Sequence, residues 1–162
     1  MAQDLRLEIR VSKMKIAARE PLTLTIQLFN TSQRAYYVSS DIALGSGGFG
    51  HQFGTYQLQL RKAGAPDFVD GPRTFGDPIG SRDLAASDFI VANRLILLEP
   101  GAFIGRTISS DWDGLTLLEP GRYSIRVTYT SYGAEKLIPR ELRFPIFRSP
   151  LTSNVIVLEI QP

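Results

Sequence analysis

The sequence predicts an all-β protein, built as a Greek-key sandwich of antiparallel sheets, and two observations predict it. Apolar and polar residues alternate along most of the chain, which is the period of a half-buried strand. In addition, the phrase LLEPGAF at residues 97–103 returns twenty residues later as LLEPGRY at residues 117–123. The second copy is typical of a tyrosine corner, in which the hydroxyl of Tyr123 bonds to the backbone upstream. Pro120 and Gly121 complete this predicted structural corner.

The N-terminal half predicts four strands. At residues 5–11, aliphatic residues alternate with charged ones, which gives one apolar and one polar face. Residues 21–29 alternate in the same way, and the following NTS at residues 30–32 ends the strand, because such side chains bond their own backbone in turns. Residues 36–38 form a short aromatic strand. At residues 56–60, tyrosine and leucine alternate with glutamine.

The C-terminal half predicts at least four further strands, at residues 94–98, 103–109, 122–130 and 155–160. The last of these is apolar on both faces over most of its length. A further run at residues 142–147 is interrupted by Pro145, which has no N–H to donate to a neighbouring strand. We therefore expect this run at the edge of a sheet.

Length and composition limit the number of domains, the types of site and the classes of partner that the chain can have. A chain of 162 residues predicts one domain over residues 1–162, with a long irregular insertion at about 62–93. The absence of cysteine excludes disulfides, thiolate metal sites and cysteine nucleophiles. The 18 basic and 16 acidic residues form no basic stripe, so we expect no nucleic-acid partner. No apolar run approaches the ~20 residues that span a bilayer, so we expect no membrane span.

Three segments resemble bacterial immunoglobulin-like β-sandwich modules. Residues 19–32 resemble their second strand, with Arg19 in place of the usual glycine, residues 118–123 resemble their corner, and residues 153–160 resemble their last strand. The intracellular proteinase inhibitor-like family shares the Leu-x-Pro-Gly-x-Tyr pattern. The resemblance skips residues 41–93. It implies an Ig-like Greek-key sandwich of seven to nine strands in two antiparallel sheets.

A glycine-rich segment at residues 45–54 contains three candidate binding residues, Phe49, His51 and Phe53. Its GxGxxG spacing matches a phosphate-binding loop, but the other kinase motifs are missing and a strand, not a helix, is predicted to follow. His51 is the only histidine, so a serine-histidine-aspartate triad or a histidine-ligated zinc would have to use it. No carboxylate neighbours it in sequence, which favours an exposed loop residue.

Two aromatic residues elsewhere complete the candidate binding set, Phe75 in the irregular insertion and Trp112. Asp111 and Asp113 flank Trp112 before a glycine, but a calcium loop needs more oxygen ligands than this segment supplies, and a turn explains the same residues. Trp112 either covers the end of the core or serves as a recognition anchor. We expect no metal site, no cofactor and no catalytic residue.

The sequence therefore predicts a non-enzymatic protein-interaction or ligand-binding module of a bacterial envelope or exported protein. Its contact surface would comprise residues 45–54 and 62–93, because loops carried by a rigid scaffold often bind partners. The partner would be a protein or a carbohydrate. Two alternatives remain, a proteinase inhibitor that presents a loop and a hydrolase that uses His51. The AQD at residues 2–4 is typical of a segment that follows a signal-peptidase cut, which favours an extracytoplasmic location over a cytoplasmic one.

Overall fold

The computed structural model describes residues 3–39, 55–71, 95–109, 118–130 and 142–162. Within these ranges the chain forms strands, turns and irregular segments, without a helix. The strands are β1 (Leu5–Val11), β2 (Lys15–Ala17), β3 (Thr23–Asn30), β4 (Tyr36–Ser39), β5 (Thr55–Lys62), β6 (Val69–Asp70), β7 (Leu95–Leu98), β8 (Phe103–Ser109), β9 (Gly121–Thr130), β10 (Leu151–Thr152) and β11 (Ile156–Gln161).

The strands form two main sheets and one small one. In the first sheet, β3 lies between β1 and β8 and is antiparallel to both. The second sheet has the order β2-β11-β9-β5-β6, and β10 also pairs with β9. Every pair in it is antiparallel except β2 with β11. β4 and β7 form a separate antiparallel pair. Neighbours such as β3 with β8 and β5 with β9 are distant in sequence, which is the Greek-key arrangement of an Ig-like sandwich.

The core lies between the two main sheets and follows directly from the alternation in sequence. The first sheet buries every second residue of β1 and β3, including Leu7 and Ile26. The second sheet buries the alternate residues of β5, β9 and β11, including Leu58, Ile125 and Leu158. The intervening residues face outwards, so each main sheet has a mostly polar outer face.

Asn154 covers part of the open edge of β1. Its side-chain Oδ1 accepts a hydrogen bond from the Ile9 N–H at 2.8 Å, and its Nδ2 donates to the Ile9 carbonyl at 3.1 Å. One side-chain amide thus satisfies the donor and the acceptor that a further strand would otherwise pair with. Unpaired edge groups favour pairing with other chains, so this contact protects the edge as well as joining the two sheets.

The all-β, Ig-like sandwich is confirmed, and the long predicted strands lie where the alternation places them. Three short strands, β2, β6 and β10, were not predicted, since two or three residues are too few to show a period. The predicted strand at residues 142–147 is wrong. That segment forms only an isolated parallel bridge between Ile146 and Tyr37, with the Tyr37 N–H donating to the Pro145 carbonyl. Pro145 contributes its carbonyl there, because it has no N–H to continue a ladder.

The corner residues lie at the start of β9. Tyr123 is 6% exposed, and its hydroxyl donates to the Glu119 carbonyl at 3.0 Å, which is the bond that the sequence pattern predicts. The Lys62 ammonium contacts the Glu119 carboxylate at 3.2 Å beside it, and this contact raises the pKa of Lys62. Both side chains are exposed, so the corner depends mainly on the tyrosine bond and on burial of its ring.

Removing the corner hydroxyl with Tyr123→Phe should destabilise the fold by about 0.5–1.5 kcal/mol, the net contribution of one typical hydrogen bond. Urea denaturation of the variant and the parent protein measures this difference directly. Tyr37→Phe is the matched control, since no bond of the Tyr37 hydroxyl to a described residue is present. Equal stability of Tyr123→Phe and the parent protein would contradict a stabilising corner bond.

In the part of the chain that the structure describes, no helix has the length and apolar character needed to cross a membrane.

Candidate functional site

The binding residues predicted from sequence lie outside the described residues. These are Phe49, His51, Phe53, Phe75 and Trp112, and Asp111 and Asp113 lie outside as well. Residues 62–71 are the described part of the predicted 62–93 insertion. They begin at the end of β5 and return as the two-residue strand β6, which pairs with β5. Of the predicted site residues, the structure describes only those of the corner, which are Pro120, Gly121 and Tyr123. The corner has a structural role.

The described residues instead form an open groove at one end of the first sheet, with a volume of about 580 Å³. We call it the sheet-end groove. It lies where β3 ends and where the turn before β8 begins, and β1 contributes one arginine. Its lining consists of Arg6, Phe29, Asn30, Thr31, Ser32, Gln33, Pro100 and Gly101.

An aromatic pair lies beside this groove, and its half-buried member, Phe29, belongs to the lining. Phe29 and Phe103 are directly paired across β3 and β8 on the outer face of the sheet, with ring centroids 5.4 Å apart and an angle of 30° between the rings. The Arg6 guanidinium lies 5.0 Å from the centre of the Phe29 ring. Phe103 is 59% exposed, which is unusual for so large an apolar side chain. The pair therefore offers an apolar surface, in which Arg6 covers part of Phe29 and Phe103 is exposed.

Asn30 shapes the floor of the groove. It is 2% exposed, and its Nδ2 donates to the Leu98 carbonyl at 2.8 Å and to the Arg34 carbonyl at 2.6 Å. Its Oδ1 accepts from the N–H and the hydroxyl of Ser32, at 3.0 and 2.8 Å. The backbone of Asn30 also bonds to Ala102 and Gly101. Asn30 thus connects the loop after β3 and the end of β7 through its side-chain amide, and the turn before β8 through its backbone.

The other short polar side chains of the groove are used in the same way. The Thr31 hydroxyl donates to the backbone carbonyls of Gln3 and Asp4, at 3.0 and 3.1 Å. The Ser32 hydroxyl contacts Asn30 Oδ1 and also accepts from the Arg34 N–H at 3.1 Å. These bonds rigidify the loop, but they leave the groove with few hydroxyl or amide groups directed at a ligand.

The charges around the groove are largely paired. Arg6 Nε lies 3.3 Å from the Glu8 carboxylate, and Arg10 approaches the same carboxylate at 3.9 Å. On the far side of the loop, the Tyr36 hydroxyl donates to the Asp4 carboxylate, and this bond raises the pKa of Tyr36. The groove therefore combines an apolar surface with little net charge. Among the described residues, no three histidine, cysteine, aspartate or glutamate side chains are grouped as metal ligands would be.

The exposed phenylalanine was missed from sequence, although a signal was present. The repeated motif places Tyr123 at its last position in one copy and Phe103 in the other. The corner bond needs a hydroxyl, so a phenylalanine at this position cannot form a tyrosine corner. The pairing of Phe103 with Phe29 depends on the register of β3 and β8, which the local sequence does not show.

No protein-family model and no curated protein sequence matches this chain. Solved structures with a similar fold include the Pseudomonas fluorescens alkylpurine DNA glycosylase AlkC bound to DNA containing an abasic site analog. The chain is 11% identical to it over 98% of its own length, with a TM-score of 0.45, and spans 31% of that protein.

Two smaller domains also resemble the chain. The CARDB domain of the PF1109 protein from Pyrococcus furiosus, solved in complex with di-metal ions, is 11% identical with a TM-score of 0.41. The match covers 98% of this chain and 93% of that one. The C-terminal domain of wzt is 7% identical with a TM-score of 0.48, over 99% and 75% of the two chains. At these identities and scores, what those proteins bind or catalyse is not transferred to this chain.

Proposed function

We propose that the protein is a non-enzymatic interaction module that binds a polypeptide partner at the sheet-end groove. The observation that supports this proposal most directly is the Phe29–Phe103 pair, with Phe103 exposed, beside a groove whose short polar side chains are already hydrogen-bonded within the protein. Exposed aromatic residues next to an arginine are typical of residues that dominate the binding energy of protein interfaces.

The hydrogen-bond pattern favours a polypeptide over a carbohydrate. A sugar carries many hydroxyl groups, and a site that recognises it must replace their bonds to water with bonds to protein. The amide of Asn30 and the hydroxyls of Thr31 and Ser32 are committed to backbone groups and to each other. An apolar side chain of a partner needs no such bonds and gains from the removal of both phenylalanine rings from water.

The electrostatics favour an uncharged anchor. Glu8 lies against Arg6 and near Arg10, so the arginine over Phe29 is already paired. A charged side chain entering the groove would lose its hydration without gaining an unpaired partner. The partner residue that fits is therefore aliphatic or aromatic. We also propose an extracytoplasmic location. The competing proposals are a proteinase inhibitor that presents a loop and a hydrolase that uses His51. No described residue favours either competitor.

A selection experiment tests the proposal with peptides in place of the natural partner. A random peptide library displayed on phage is selected on the parent protein, and the affinities of the enriched peptides for the parent protein and for Phe103→Ser are measured by fluorescence anisotropy. We expect peptides with an aliphatic or aromatic anchor, whose affinity falls about tenfold or more in Phe103→Ser, as for a residue that dominates binding. Phe103 is exposed, so its removal should leave the fold intact.

Val157→Ser is the matched control. Val157 is also apolar and exposed but lies on the second sheet, so this variant should retain the affinity of the parent protein. A glycan array is probed in parallel. Peptides that bind Phe103→Ser as tightly as the parent protein would overturn the groove as the contact site. Glycan binding that depends on Phe103 would overturn the polypeptide class of partner.

A further inference from the structure

The outer face of the second sheet carries a separate cluster, which we call the arginine–Phe68 cluster. Arg61 on β5 and Arg126 on β9 face outwards, because the residues that alternate with them are buried. Phe68 comes from the hairpin between β5 and β6. The guanidinium carbons of Arg126 and Arg61 lie 4.0 and 4.8 Å from the centre of the Phe68 ring. Two cations are therefore held against one aromatic ring.

A hydrogen-bond chain fixes one side of the cluster. Arg126 Nε donates to Gln59 Oε1 at 2.9 Å, and Gln59 Nε2 donates to Asp70 Oδ1 at 3.2 Å. These residues are neighbours across three strands, since β5 pairs with β9 on one side and with β6 on the other. The bond at Nε orients the guanidinium of Arg126 and leaves its two terminal amino groups without a hydrogen bond to a described residue. The cluster is therefore ordered before any ligand binds.

The two charges are not neutralised by described carboxylates. Five ion pairs are present in the described part of the chain, and neither Arg61 nor Arg126 takes part in any of them. Two guanidinium groups near one ring repel each other, and the electron-rich face of the ring offsets only part of this repulsion. An anion placed between the terminal amino groups would offset the remainder and accept charge-assisted hydrogen bonds.

From this geometry we propose that the arginine–Phe68 cluster binds a carboxylate side chain of an acidic polypeptide segment. This site is independent of the sheet-end groove, which lies on the other sheet, and does not rest on the function proposed for it. The arginine fork matches the two oxygens of a carboxylate, so one aspartate or glutamate can engage either guanidinium with two parallel bonds. The hydrophobic edge of Phe68 would contact the methylene groups of that residue.

The surroundings favour a polypeptide over a nucleic acid. A nucleic-acid surface needs a row of cations that follows successive phosphates. Here the same sheet face also carries acidic groups, because Glu159 lies opposite Arg122 in the register of β11 and β9 and Asp70 belongs to the cluster itself. Such carboxylates would repel a polyphosphate backbone but tolerate a single carboxylate placed at the two arginines.

The test uses a short oligoglutamate peptide as the probe and the full chain as the receptor. Titration is followed by the side-chain Nε–H signals of arginine in ¹H–¹⁵N spectra. We expect shifts at Arg61 and Arg126, and an affinity at least about fivefold weaker in Arg61→Gln, which loses one of the two forks. Arg122→Gln removes the same charge from the same sheet face, beside Glu159, and should change the affinity less than about twofold. Phe103→Ser should bind as the parent protein does.

Each further outcome decides against the proposal. Equal losses in Arg61→Gln and Arg122→Gln would mean that the peptide responds only to overall charge. Tighter binding of inorganic phosphate or of an oligothymidylate than of oligoglutamate at the same ionic strength would assign the cluster to phosphate recognition. Retained binding in Arg61→Gln together with loss in Phe103→Ser would assign the acidic peptide to the sheet-end groove.

Discussion

Asn30→Ala is expected to destabilise the fold by about 2–4 kcal/mol, because the substitution leaves buried carbonyls without their donor. The Asn30 side chain makes four hydrogen bonds, and the one to Leu98 is fully buried. Water has little access to the site, since Asn30 is buried at the end of β3. The loss should appear as a lower midpoint of urea denaturation with an unchanged slope, which would indicate a change in stability without a change in cooperativity.

Two variants separate the hydrogen bonds from other effects. Asn30→Asp keeps the shape and the two accepted bonds with Ser32 but removes both donated bonds, so it should destabilise about as much at neutral pH. Thr31→Ala removes an exposed hydroxyl from the next residue and should cost less than about 1 kcal/mol. A small effect for Asn30→Asp, similar to that of Thr31→Ala, would show that the donated bonds contribute little.

The second large effect concerns one substitution made in both copies of the repeated motif. Gly121→Asn is expected to cost about 1–3 kcal/mol, because Gly121 has φ of +153°, a conformation that residues other than glycine rarely adopt. Gly101→Asn should cost less than about 1 kcal/mol. Gly101 has φ of +75°, which lies in the left-handed region that asparagine tolerates, and a Cβ placed there meets no atom within 4 Å.

Crowding does not explain the expected difference. The nearest atoms to a Cβ at Gly121 belong to Lys62 and Tyr123 at 3.5 and 3.6 Å, which are ordinary contact distances. Gly121→Ala and Gly101→Ala extend the comparison: alanine tolerates neither conformation well, so both should destabilise. Thermal melts of the four variants supply the measurement. Equal stabilities for the two asparagine variants would contradict the role assigned to the backbone conformation at Gly121.

The strands and the core could be predicted because they depend on local alternation. β1, β3, β5 and β9 each alternate over seven residues or more. A pattern of that length determines which face of the strand packs against the core. β2, β6 and β10 contain too few residues to show a period. The run at 142–147 has the composition of a strand, yet its pairing with β4 consists of one bridge.

The two surface sites could not be predicted in the same way, because each needs residues from separate strands. The pairing of Phe29 with Phe103 follows from the register of β3 against β8. The meeting of Arg61 and Arg126 at Phe68 follows from the register of β5 against β9 and from the path of the next hairpin. The sequence instead favoured aromatic residues near the glycine-rich segment as candidates, since they are close to one another along the chain.

The repeated motif shows most clearly which features depend on the local sequence and which depend on the tertiary structure. The sequence by itself determined that each LEPG segment is followed by a strand and that the copy with Tyr123 can form a corner. Only the tertiary structure decided which donor bonds to the backbone carbonyl of the glutamate in each copy. The Glu99 carbonyl accepts from the Ala102 N–H at 3.0 Å and closes a tight turn, whereas the Glu119 carbonyl accepts from the Tyr123 hydroxyl.

The physical reason is the side of the sheet to which each strand turns its first aromatic residue. Tyr123 faces the core and is buried opposite Leu158, so its hydroxyl must find a backbone acceptor. Phe103 has no hydroxyl and lies on the outer face beside Phe29, where it stays exposed. Two nearly identical phrases thus produce a structural corner in one sheet and a candidate binding surface on the other, because strand pairing over long sequence separations sets which face each residue occupies.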